Sequence, residues 1–111
     1  MDGVVFLYVT APDDAVASGI AEKLVSGGLA VCVNILPRIR SVYRWKGAVE
    51  RAEEAAMIVK TTVPHAAAAR RLVERLHPYE TPVIAAISIE GLHSGEKFLA
   101  WIDAELSETL S

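Results

Sequence analysis

One thiol, one histidine at a helix end and an acid three residues beyond it are the groups in this chain best suited to chemistry. Cys32 lies in Ala30-Val31-Cys32-Val33-Asn34, and His77 opens His77-Pro78-Tyr79-Glu80. A thiolate is a strong nucleophile and metal ligand, an imidazole serves as base or ligand, and carboxylates accept a wide range of cations. Each also has a plainer reading. A cysteine in an apolar strand is more often a small buried hydrophobe, and a histidine closing a helix can satisfy carbonyls or the helix dipole. His65 and His93 stand alone, at positions expected on the surface. Asn34 needs hydrogen-bond partners if its strand is buried. Lys60, near a strand end, can bind an anion or simply pair with an acid. Tyr43 and Trp45 can floor a pocket or anchor an interface, and Trp101 is expected in the core.

The elements that must position these groups follow from periodicity. Val4 to Val9 is a continuous apolar run rich in β-branched and aromatic residues, as in a strand buried on both faces. Thr10 to Asp14, with Pro12 and two aspartates, starts a helix. Its stripe of Val16, Ile20 and Leu24 ends at Gly27-Gly28. The segment Leu29 to Trp45 reads as one long strand interrupted at Pro37, which marks an edge or a bulge and can re-phase the alternation beyond it. A two-residue turn at Lys46-Gly47 pairs Trp45 with Ala48, Tyr43 with Glu50 and Arg40 with Glu53. The acids Glu50, Glu53 and Glu54 are then expected to meet Arg38, Arg40 and Arg44 in pairs of modest individual worth. The return strand runs through Ala55 to Thr62. Pro64 opens a second helix with Ala69, Leu72, Val73 and Leu76 inward. Pro82 to Ile89 is the fourth strand, and Ser94 can cap a last helix whose apolar side holds Phe98, Leu99, Trp101, Ile102 and Leu106.

The order β-α-β-β-α-β plus a terminal helix predicts an α+β, ferredoxin-like sandwich in one domain, residues 1–111, with a long hairpin between its second and third strands. This order poses a problem of coverage. All four strands are apolar on both faces, whereas right-handed crossovers put both main helices on one. The bare face exceeds the few hundred Å² of apolar patch that monomers tolerate, so a closed homo-oligomer is expected.

Composition narrows the function. The chain is 52% hydrophobic, yet no apolar run reaches the roughly 18 residues of a membrane helix. No signal peptide is recognisable, so the expected location is cytoplasmic. A formal charge of -3 gives no general attraction for nucleic acid. The single cysteine excludes an internal disulfide, and no standard metal, phosphate or dinucleotide motif is present. No organic cofactor is expected. The first β-α loop, Thr10-Ala11-Pro12-Asp13, carries neither the paired cysteines of a copper chaperone nor the arginine of an acylphosphatase.

Taken together, Ala30 to Asn34, Ser41 to Gly47 with Glu50, Lys60-Thr61, His77 to Pro82 and Trp101-Ile102 resemble the CutA divalent-cation tolerance family over nearly the whole chain. The resemblance implies a homotrimeric, non-enzymatic protein, similar in architecture to PII-type signalling proteins, whose long hairpins interlock neighbouring subunits. It implies binding of divalent metal, Cu(II) above all, in a role of metal-ion tolerance. Cys32 and His77 are the implied ligands with Glu80 as a third, and Tyr43, Trp45, Glu50, Lys60 and Trp101 would line an intersubunit cleft. Val31 and Phe98 depart from the family pattern, which often has a small residue and a tyrosine there. One Cys and one His are too few for a closed metal site, so symmetry or solvent must complete it. A PII-like sensor of small molecules or anions, using Arg44, Lys60, Tyr43 and Trp45, is the alternative. An enzyme with Cys32 as nucleophile and His77 as base ranks last, because no orienting acid is assured.

Overall fold

The computed structural model describes residues 3–107. The elements are β1 (Val4–Ala11), α1 (Asp14–Ser26), β2 (Cys32–Trp45), β3 (Ala48–Thr62), α2 (Val63–Leu76), β4 (Ile84–Ser88) and α3 (Glu96–Ser107). The strands form one sheet in the order β2-β3-β1-β4, with every neighbouring pair antiparallel. The expected ferredoxin-like arrangement is therefore present, with the most apolar strand, β1, in an interior position.

Side chains of β1 divide between two cores because alternate residues face opposite sides of a strand. Leu7, Val9 and Ala11 pack with Ala55, Met57 and Val59 of β3 beneath α1 and α2, which contribute Ala17, Ile20, Leu24, Ala69 and Val73. Val4 and Phe6 turn the other way and meet Ile102, Leu106 and Leu99 of α3 in a second, smaller cluster. α3 thus covers only one end of the second face. Beyond it, Leu36, Val83 and Ile87 are exposed.

Local chemistry sets the boundaries. Asp13 caps α1 by accepting the Val16 N–H at 2.9 Å. Gly28, at φ 71°, turns the chain so that Leu29 N–H and Ala30 N–H both return to the Leu24 carbonyl. Leu29 and Ala30 therefore belong to the helix termination rather than to β2, which begins at Cys32. β4 is likewise shorter than the apolar run Pro82 to Ile89 predicts, because Pro82 has no N–H to donate. Ser94 does not cap α3; its hydroxyl donates to the Glu90 carbonyl. His65 is not on the surface but 2% exposed, its Nδ1 bonded to the Thr62 hydroxyl across the first turn of α2. Leu76, expected inward, is exposed at the end of that helix.

The long hairpin follows the predicted register: Trp45 opposite Ala48, Tyr43 opposite Glu50 and Arg40 opposite Glu53. Lys46 and Gly47 take φ of 50° and 84°, the two positive values that a tight turn between twisted strands requires. Pro37 and Arg38 form an irregularity between Leu36 and Ile39, with Arg38 at φ 58°. The irregularity re-phases β2. Before it Cys32, Asn34 and Leu36 share a face with Lys60, Ile58 and Ala56; beyond it Ile39, Ser41, Tyr43 and Trp45 continue that same face opposite Glu54, Ala52, Glu50 and Ala48. The expected ion pairs along the hairpin do not close. Among the described residues, the ion pairs are Arg70–Glu74 and His93–Glu90, both local pairs on the surface.

β1 accompanies β3 only as far as Ala55, so residues 48–54 pair with β2 alone as a two-stranded arm. A lone ribbon of this kind has little stability of its own in water. Val42 and Val49 on one side of it and Tyr43 on the other are all exposed.

Candidate functional site

The residues that the sequence singles out fall into two groups at opposite ends of the second sheet face, which α3 covers only in part. Cross-strand register aligns Cys32, Lys60, Phe6 and Ile87 in one row. Cys32 is a free, half-buried thiol. Lys60 Nζ stands 5.7 Å from the Phe6 ring centroid. Phe6 meets Phe98 edge-on at 6.4 Å, and Phe98 meets Trp101 at 6.5 Å. Trp101 is 46% exposed on α3 and not in the core. Lys60 and Trp101 therefore belong to the Cys32 end of the face.

The other end holds a cleft of about 680 Å³ lined by Tyr8, Thr10, Ser41, Tyr43, Arg44, Trp45, Glu54, Tyr79, Thr81 and Val83. Of the five expected cleft residues, Tyr43 and Trp45 are here. Glu50 faces the same side of the arm, opposite Tyr43, without lining the cleft, and Lys60 lies six residues along β3 from Glu54, about 20 Å at strand spacing. Within one subunit the expected single cleft is thus two separate places.

Sequence reasoning did not find Glu54 or Tyr79, which organise this cleft. Glu54 is 8% exposed, and its Oε2 accepts the Tyr79 hydroxyl at 3.0 Å. The signal was available in the hairpin register, which puts Glu54 opposite Ile39 on the side of Tyr43. Reading Glu54 as an ion-pair partner of the hairpin arginines concealed it.

His77 holds the cleft wall in place. Its Nε2 lies 2.7 Å from the Thr10 carbonyl, which can only accept, and its Nδ1 accepts the Tyr79 N–H at 3.2 Å. The proton therefore sits on Nε2 and the Nδ1 lone pair is in use. The buried imidazole also meets the Tyr79 ring at 4.8 Å, the two planes tilted by 53°. A metal at either nitrogen would displace one of these bonds. Thr10 lies four residues along β1 from Phe6 in the Cys32 row, roughly 13 Å at strand spacing. Cys32 and His77 are accordingly not neighbours in one subunit. Glu80, next in the chain to the Glu54 partner Tyr79, is exposed. Among the described residues, no group of three or more His, Cys, Asp or Glu side chains could hold a metal ion.

Tyr79 carries an electrostatic signature of the arrangement. Its hydroxyl is pushed up from 10.0 to about 12, first by burial and then by the hydrogen bond and negative charge of Glu54, with smaller contributions from Tyr43 and Asp13. A phenol raised in this way favours the folded state fully below pH 10, and that contribution is lost as pH climbs through about 12. In an alkaline titration followed by phenolate absorbance, one of the three tyrosines is expected to ionise last, and Glu54→Gln should bring that step down. A single unresolved step in wild type, unchanged in the variant, would contradict the assignment.

Comparison with known proteins places this architecture. A family model described as CutA1 divalent ion tolerance protein matches residues 5–105. The divalent-cation tolerance protein CutA of Archaeoglobus fulgidus is 48% identical over 99 residues, covering 88% of this chain and 93% of that one. The solved structure of the periplasmic divalent cation tolerance protein CutA from Archaeoglobus fulgidus superposes with a TM-score of 0.87 at 45% identity, over 93% of this chain and 98% of that one. The crystal structure of CutA1 from Oryza sativa gives 0.87 at 34% identity, covering 93% of each chain. From the model match across almost the whole sheet and α3, and from relatives this similar end to end, the chain belongs to the CutA1 divalent ion tolerance protein family.

Proposed function

We propose that this protein binds divalent metal, Cu(II) in particular, as a homotrimer serving metal-ion tolerance and without catalysing a reaction. Family membership carries the tolerance reading, since the relatives are named for divalent cations. Two features support assembly: a sheet face only part-covered by α3, and an arm that exposes Val42 and Val49 on one side and Tyr43 and Trp45 on the other. A metal would find the Cys32 thiolate as its softest ligand, which suits copper. Its remaining ligands come from a neighbouring subunit or from water, because His77 is committed to Thr10 and Tyr79. Glu80 is exposed and free to contribute where subunits meet.

Calorimetric titration with Cu(II) tests this. Cys32→Ser should weaken binding by about tenfold or more, in keeping with the cost of losing a principal ligand, and Glu80→Gln should do so to a smaller extent. Wild-type affinity in both variants would exclude the metal assignment. His77→Ala is a poor probe, because it removes two structural hydrogen bonds whatever the metal does.

A second reading, a small-molecule sensor of PII type, draws support from the cleft, whose 680 Å³ lies within the range of ligand pockets. Lys60 takes no part in this cleft, so the reading rests on Arg44, Tyr43 and Trp45, joined there by Glu54 and Tyr79.

A further inference from the structure

Lys60 sets a positive charge beside the one thiol of the chain. It stands directly opposite Cys32 in the register of β2 and β3, and residues so paired share a sheet face with Cβ atoms about 5 Å apart. Both side chains are half-buried. Among the described residues, Lys60 takes part in neither of the two ion pairs; its Nζ lies instead 5.7 Å from the Phe6 ring centroid. An aromatic face holds an ammonium in place but, unlike a carboxylate, does not cancel its charge. Neither this row of the sheet nor the next, Asn34-Ile58-Tyr8-Ala85, holds an acid. The first carboxylate along β3 on this face is Glu54, about 20 Å away at strand spacing.

The donors at this place fit a singly charged ion better than a doubly charged one. Cys32 is a free thiol, and no group of three or more His, Cys, Asp or Glu side chains among the described residues could hold a metal ion. One thiolate balances one positive charge, and thiolate is the ligand class that suits soft ions such as Cu(I). A second charge on the ion is left facing the ammonium. Coulomb repulsion grows with the product of the charges, so at the same sulfur a dication bears twice the penalty of a monocation. For a half-buried pair within roughly 10 Å, between the limits of water and dry protein, the effect is about fivefold in affinity per unit of ion charge.

We propose that Lys60 makes the Cys32 site select by charge, holding singly charged soft cations, the class of Ag(I) and Cu(I), in preference to doubly charged ones. The inference rests on the metal reading of Cys32 and narrows it by ion charge; divalent ions still bind there, at lower affinity. Any effect of Lys60 on proton competition at the sulfur is common to both kinds of ion and divides out of the ratio of their affinities. That ratio therefore isolates the repulsion.

The test compares Ag(I) with Cd(II), soft ions of equal electron count that differ in charge. Each is titrated into the full chain in chloride-free buffer, in competition with N-acetylcysteinamide, a thiol with no other charge, and followed by the ultraviolet absorbance of the metal–sulfur bond. The quantity read is the Ag(I) association constant divided by that of Cd(II). Lys60→Gln and Lys60→Met, two neutral variants that keep the stem against Phe6, should each lower the ratio by about fivefold, whereas Lys60→Arg, which restores the charge, should keep it. Cys32→Ser should weaken both ions by about tenfold or more. If Cys32→Ser binds both ions as wild type does, the metal reading fails and this inference with it. If Cys32→Ser loses binding but the neutral variants leave the ratio unchanged, or Lys60→Arg lowers it as far as they do, the metal reading stands and the inference alone is overturned.

Discussion

His77→Ala is expected to lower the free energy of unfolding by about 3 kcal/mol, the sum of two lost buried hydrogen bonds and an unfilled side-chain volume. The imidazole is 8% exposed and ties three segments together: its own helix end, the Thr10 carbonyl at the end of β1, and the Tyr79 N–H on the way into β4. Its backbone N–H also closes α2 by reaching the Val73 carbonyl at 2.9 Å, a bond that alanine keeps. Urea unfolding at fixed protein concentration measures the effect, and His93→Ala supplies the reference. His93 pairs with Glu90 on the surface, so that change should stay within about 0.5 kcal/mol. Equal midpoints for the two variants would show that His77 does not pin the cleft wall. A fall in the His77 variant would also explain any loss of metal binding there without a metal bond, which is why the Cys32 comparison is the informative one.

Ile87→Glu is expected to reduce the protein to the mass of a single 12.0 kDa chain while leaving its circular dichroism unchanged. Ile87 is 50% exposed on the uncovered face of edge strand β4, so a carboxylate there stays hydrated in an isolated subunit and costs little. In the proposed trimer the same position is buried against a neighbour, and symmetry repeats an unpaired buried charge in every subunit. Each such charge costs several kcal/mol. Light scattering at micromolar concentration separates the cases. An oligomeric mass retained by the variant would remove this face from the interface, and a monomeric wild type would remove the trimer altogether.

Both predictions depend on features that differ in how plainly the chain announces them. The strand and helix order was legible because β1 is apolar throughout, α1 repeats its apolar residues every fourth position, and Gly27-Gly28 and Lys46-Gly47 punctuate the chain. The hairpin register was legible as well, since a two-residue turn fixes every pair behind it. Where the reading failed, a residue had two local options and tertiary contacts chose between them. His65 has the spacing of an exposed helix residue, yet the Thr62 hydroxyl draws it inward. Trp101 has the spacing of a core residue, yet α3 packs through Ile102 and Leu106, leaving Trp101 to lean on Phe98 at the surface.

The sequence by itself determined the sheet, the long arm and the family, because these rest on local periodicity, turn chemistry and short residue blocks that survive without contacts. Only the tertiary structure decided which side chains share a site. Cys32 and His77 stand far apart because they sit at different positions along the sheet, and His77 spends both ring nitrogens on protein partners. Glu54 became the charged centre of a cleft because Tyr79, from the turn before β4, closes over the hairpin face that Glu54 shares with Tyr43 and Trp45. Adjacent strand residues face opposite sides, so the hairpin register already separates Glu54 from Glu53, but the approach of Tyr79 from a distant turn is a tertiary contact that no register shows.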